Sequence, residues 1–176
     1  MTSDRMPPSA GEYWLSGPVE GVPSLLMPVA HALLQARHDM RNAAERLTLE
    51  QLWRKPGGAA SVGFHLRHAA GSLDRLFTYA RGEPLDDAQR AALRLEGEPG
   101  TPPAGAADLL AVVDAAVDDA LAQLRATNEA DLLAHRGVGR ARLPSNVLGL
   151  LFHGAEHTQR HTGQAITTAR IVAAES

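Results

Sequence analysis

No cysteine occurs in the 176 residues. That absence removes disulfides, thiolate metal sites and a cysteine nucleophile together, and it suits a reducing cytoplasm. Aromatic residues are scarce at 4%, so the β-branched and aromatic surfaces that strands favour are missing, while the abundant alanine and leucine favour helices. No apolar run approaches the ~20 residues needed to span a bilayer. The opening residues, Met1 to Pro8, lack a basic-then-apolar signal pattern. These absences predict a cytoplasmic protein without a membrane partner. Basic excess is lacking too: net charge is −3 and the isoelectric point is near 6.2. Arg136, Arg140 and Arg142 cluster in one predicted loop, but they read as a local anion contact or a solvated edge. No basic face of the kind nucleic acid requires is evident.

What is present suits one helical domain. Hydrophobic residues make up 44% of the chain, enough at this length for a proper core. Pro7, Pro8, Gly11, Gly17, Pro18, Gly21 and Pro23 predict an extended leader over residues 1–23. Within it, Tyr13, Trp14 and Leu15 are apolar enough to pack along the rest of the molecule. Ser24 is placed to cap a first helix whose apolar positions Leu25, Val29, Leu33 and Leu34 recur at helical spacing through to Leu47. Trp53 to Gly58 is a break. Ser61 opens a second helix with Val62, Leu66, Ala69, Leu73, Leu76, Phe77 and Ala80 on one face, and Gly82-Glu83-Pro84 ends it.

Asp86 to Leu95 predicts a short connecting helix, and the proline-rich stretch 96–105 a linker. A third long helix follows from about Ala106 to Arg125, then a loop from Asn128 to Pro144. Ser145 is placed to cap the fourth long helix, which continues to about Val172. No segment alternates as a strand would. The expected fold is all-α, a four-helix bundle over residues 24–176 preceded by the leader.

Eight histidines stand out against this background. On the fourth long helix His153, His157 and His161 are spaced by four, so they stack on one side. A 100° step per residue puts the apolar centre of that helix near Val147, Leu151, Ala165 and Val172, with the imidazoles on its flank. Two imidazoles at i and i+4 can share one ion, and a third ligand must come from elsewhere. The second helix offers His65 and His68, three apart on one side. His31, His38 and His135 have no such companions and read as surface or packing residues.

Other motifs fare worse. His153-Gly154-Ala155-Glu156-His157 fits the H-x-x-E-H string, but only 19 residues follow His157; that chemistry needs a further acidic ligand in a larger fold, so the match reads as chance. H-E-x-x-H, the paired Glu-x-x-His of di-iron bundles, a glycine-rich phosphate loop and a G-x-S-x-G elbow are absent.

The segment Ser61-Val62-Gly63-Phe64-His65-Leu66-Arg67-His68-Ala69-Ala70, taken with His157-Thr158-Gln159-Arg160-His161-Thr162-Gly163-Gln164, resembles the DinB/YfiT-like superfamily. The likeness covers most of the chain, including helix order. It implies a metal-binding four-helix bundle, often homodimeric, with zinc or nickel on a second-helix histidine and an H-x-x-x-H pair. Carried over, the ligands are His68, His157 and His161, with His65 the alternative to His68 and His153 outside the pattern. The trailing Gly163 and Gln164 would serve close helix approach and a contact behind the ligands.

The resemblance also implies an activity, since several members of the family are thiol transferases using bacillithiol or mycothiol, or a mycothiol-dependent isomerase. The leading expectation is a divalent-metal-dependent transferase acting on a low-molecular-weight thiol and an electrophile. A chain without cysteine suits a nucleophile brought by a small molecule. The alternatives are a metal-dependent hydrolase, for which Glu156 is the one visible general base, and a non-enzymatic metal- or ligand-binding bundle. Glu156 and Arg160 read as solvated residues on the outer side of the histidine ladder.

Overall fold

The computed structural model describes residues 11–175. Six α-helices and one two-stranded sheet are present among them: α1 Met27–Ala44, α2 Leu49–Trp53, α3 Val62–Arg81, α4 Asp87–Arg94, α5 Ala106–Ala126, β1 His135–Val138, β2 Leu143–Asn146 and α6 Val147–Ala174. The long helices α1, α3, α5 and α6 form the bundle, and the all-α expectation holds apart from the hairpin.

Helix ends follow local chemistry, which in places differs from the sequence expectation. The Ser61 hydroxyl accepts the Phe64 amide at 3.1 Å and starts α3, as anticipated. Gly82, in the left-handed region at φ 84°, ends it. α1 begins two residues later than expected. Ser24 to Leu26 form a 3₁₀ turn, and Leu26 takes the cap position with no side-chain hydrogen bond. Pro28 then sits in the first turn, where no backbone donor is missed. α6 is capped by Asn146 rather than Ser145, with the Asn146 side-chain oxygen accepting from the Gly149 amide at 2.7 Å; Ser145 belongs to β2. The short α2 lies in the region expected to link the first two long helices. Thr48 and Gln51 nucleate it through a reciprocal capping box.

The hairpin corrects the expected loop over residues 128–144. His135 pairs with Asn146 and Val138 with Leu143 in antiparallel register. Leu143-Pro144-Ser145-Asn146 shows no alternation, and its proline fits an edge position that needs no donor. Arg136 donates to the carbonyl oxygens of Ala80, at 2.7 Å, and His135. It thus ties the hairpin to the C-terminal end of α3, where a cation is favoured, rather than serving as an anion contact.

Leu33, Met40, Leu66, Leu73, Leu121, Leu124 and Leu151 form the centre of the core and are almost completely buried. α3 packs most extensively on α6, because Gly154 lets the backbones close up: a Cβ there would lie 2.9 Å from the Phe77 ring. Of the leader's apolar patch, Tyr13 is buried against the bundle, while Trp14 and Leu15 are exposed. A single 3₁₀ turn over Tyr13–Leu15 explains this, since three consecutive residues on a tight turn cannot all face inward. Residues 1–10 of the expected leader, including the segment Met1 to Pro8, lie outside the described residues.

Candidate metal centre

The α3–α6 interface carries histidines from both sides. α3 contributes His65 and His68 one turn apart, and α6 contributes His157 and His161. One nitrogen from each of His68, His157 and His161 lies within 4.8 Å of the other two. All three side chains are half-buried, on the flank of the apolar stripe. Nε2 of His68 is 3.0 Å from Nε2 of His157. The ring of His161 lies 4.5 Å from that of His68 and 4.7 Å from that of His157, centre to centre.

Each of the three rings is placed differently. Nδ1 of His68 lies 2.6 Å from Oε2 of Glu96, and the other carboxylate oxygen, Oε1, accepts from Arg75 at 2.7 Å. Glu96 is 4% exposed. A carboxylate on Nδ1 fixes that proton and leaves the Nε2 lone pair facing the cluster. Phe64 stacks on the other side of the His68 ring at 5.2 Å and 16°. His161 meets a second histidine, its Nδ1 lying 3.0 Å from Nδ1 of His65. His65 is buried and stands outside the group of converging donors. Nδ1 of His157 is buried without a protein partner, so this ring relates to the rest of the site through Nε2.

Glu96 escaped the sequence reading because it sits in the proline-rich linker after α4, with no spacing that ties it to a histidine. The fold delivers it. Arg67 of α3 donates to the carbonyl oxygens of Leu95 and Glu98 on either side of it. Further along the linker, Trp53 donates to the Ala104 carbonyl at 2.9 Å, while Arg67 lies over the Trp53 ring. Gly71 completes the arrangement, since a Cβ there would lie 2.6 Å from Oε1 of Glu96.

The residues expected to trail the pair behave otherwise. Gly163 faces open space, with nothing within 4 Å of where its Cβ would be, and Gln164 is exposed. Close helix approach is supplied by Gly154 instead, and support behind the ligands by Glu96 and His65. His153 is exposed and lies 3.2 Å from Glu156. Glu156 accepts from Arg160 at 2.5 Å, and this hydrogen bond holds its carboxyl below the usual range, against a smaller desolvation effect. It is a salt-bridged side chain, poorly suited to act as a base. His31 and His38 make local contacts with the Gly17 carbonyl and Asn42, and His135 opens β1, as their isolation implied.

The electrostatics favour neutral imidazoles. Burial, then the neighbouring His68 and His157, push His161 down to about 4. Burial first and His68 second also lower His157 and His65. Metal ligands must be deprotonated, so the site is prepared for a cation near neutral pH. The same shifts make the metal-free chain acid-sensitive. The folded pKa of His161 lies below its unfolded value of about 6.5, so the unfolded chain binds more protons between those values. Stability is full above that window and falls as pH drops through it. Melting curves in chelator are expected to show a lower midpoint at pH 4.5 than at pH 7, with a smaller difference for His161→Gln. Equal pH sensitivity in the two proteins would refute the assignment.

The donor set also fits a metal. Two nitrogens bound at ~2.0–2.1 Å to a tetrahedral ion stand roughly 3.3 Å apart, close to the 3.0 Å between His68 and His157. A half-buried pair of ring nitrogens at this separation, with a third imidazole alongside, can hold one divalent cation and leave a position open. Imidazole suits zinc, nickel, copper and iron alike, so the donors do not choose among them.

A helical bundle whose facing helices bring three imidazoles to one point is thus a bundle with a candidate mononuclear metal centre. The sequence matches the DinB superfamily over residues 32–165, a span that includes the three histidines, His65 and Glu96. The chain belongs to the DinB superfamily. Comparison with curated proteins finds no match. No helix among the described residues is long and apolar enough to cross a membrane.

Proposed function

We propose that this DinB-superfamily chain binds one divalent metal ion, zinc or nickel, on His68, His157 and His161, and uses it to transfer a low-molecular-weight thiol to an electrophile. The observation that carries this reading is the convergence of three imidazole nitrogens within 4.8 Å, in a chain with no thiol of its own. When bound, the ion would supply an open position that takes a sulfur and favours its thiolate. Glu96 holds the Nδ1 proton of His68 and keeps that ring oriented. Phe64 covers one side of the ring and excludes water there. The reading keeps a leader over residues 1–23 and a bundle domain over 24–176, a homodimer as the family resemblance implies, and a cytoplasmic location. Its thiol is of the bacillithiol or mycothiol type.

The hydrolytic alternative needs a free general base beside the cluster, and Glu156 is already bonded to Arg160 and close to His153. The test is turnover of an aryl halide with bacillithiol or mycothiol by zinc- or nickel-loaded protein. In that reaction the S–C bond forms, the carbon–halogen bond breaks, halide departs and the thiol proton passes to solvent. Product formation dependent on both thiol and metal is expected. Ester cleavage without thiol would instead favour the hydrolase, and inactivity toward both substrates a binding bundle.

A further inference from the structure

His65 is left over by the metal reading. It is buried in the α3–α6 interface and packs edge-on against Phe64 at 5.4 Å. Among the described residues its side chain makes one hydrogen bond, to His161, Nδ1 to Nδ1 at 3.0 Å. A neutral imidazole has one N–H and one lone pair, so one ring must donate and the other accept. The two arrangements differ in what they leave at the far side of His161. If His65 donates, the His161 proton sits on Nε2 and that nitrogen cannot bind a cation. If His65 accepts, His161 carries its proton on Nδ1 and presents the Nε2 lone pair.

Resting on the metal reading above, we propose that His65 is a positioning residue: it accepts the Nδ1 proton of His161 and holds that ligand in its metal-binding tautomer. It does for His161 what Glu96 does for His68, with a neutral acceptor in place of a carboxylate. The sequence left open whether His65 replaces or supplements His68. On this account it does neither, acting through His161 instead.

Two substitutions separate the role from simple packing. His65→Leu fills similar space without an acceptor, and His65→Asn keeps a side-chain oxygen near the place of Nδ1. Zinc affinity, measured by competition with a chromogenic chelator, is expected to fall about 10- to 100-fold in His65→Leu, the usual effect of losing a partner behind a ligand. His65→Asn should recover most of that loss. Long-range ¹H–¹⁵N spectra of metal-free protein should show His161 protonated on Nδ1 in wild type and His65→Asn, and on Nε2 in His65→Leu. Unchanged zinc affinity in His65→Leu, equal losses in both variants, or an Nε2 proton on His161 in wild type would each overturn the proposal. If wild type binds neither zinc nor nickel, the metal reading fails, and the tautomer spectra still decide the role of His65.

Discussion

Replacement of His157 by alanine is expected to reduce bound divalent metal from about one ion per chain to less than roughly a tenth, because two imidazoles rarely suffice for a stable site. The helix should survive. His157 is half-buried on the flank of α6, its Nδ1 has no protein partner to lose, and alanine is the stronger helix former. Far-ultraviolet circular dichroism should therefore match wild type while elemental analysis after dialysis does not. His153→Ala is the informative control. His153 shares the i,i+4 ladder, but it is exposed and faces Glu156, so its loss should leave the metal in place. Equal metal content in wild type and His157→Ala would contradict the three-histidine assignment.

Glu96 carries the second large effect, because one buried carboxylate serves two partners. Glu96→Ala deprives His68 of its Nδ1 acceptor and strands the guanidinium of Arg75, which is only 8% exposed. Breaking a buried pair from one side costs about 3–5 kcal/mol, measurable as a lower denaturation midpoint. Loss of the partner behind the ligand should weaken metal binding about 10- to 100-fold. The two losses are separable. Adding Arg75→Met to Glu96→Ala removes the stranded charge and should restore much of the stability without restoring metal affinity. Glu96→Gln is expected to show the same separation, keeping stability while losing metal affinity. Its amide oxygen can still accept from Arg75, but the amide nitrogen then donates to Nδ1 of His68 and moves the ring proton to Nε2, the nitrogen that faces the cluster. Chemical denaturation with zinc competition on these three proteins checks the scheme. A metal affinity that tracks stability across all of them would reduce Glu96 to a packing role.

The histidines could be read because helical spacing converts directly into a shared face: i,i+4 on α6 and i,i+3 on α3 leave little freedom once the two helices pack. The same periodicity located all four long helices, and Ser61 and Gly82 marked the ends of α3 by their capping chemistry. Glu96 could not be found this way. It comes from an irregular linker, brought over α3 by hydrogen bonds from Arg67 and Trp53 to backbone carbonyls that any sequence would supply. His65 was visible as a candidate, but its part depends on which ring nitrogen faces which neighbour, a distinction that spacing does not encode. The β1–β2 hairpin was hidden for a third reason: its second strand contains Pro144 and lacks alternation, so the local pattern argued for a loop. Gly163 was expected to mark a close helix approach that occurs at Gly154 instead, because only the facing helix, through Phe77, decides which glycine on α6 is crowded.

X-ray absorption spectroscopy on gently purified, metal-replete wild type tests the central claim most directly. Three imidazole nitrogens in the inner coordination sphere of a single bound divalent ion, with room for an exchangeable fourth ligand, is the result predicted here. An ion surrounded by oxygen alone, or protein that refuses stoichiometric loading at neutral pH, would contradict it.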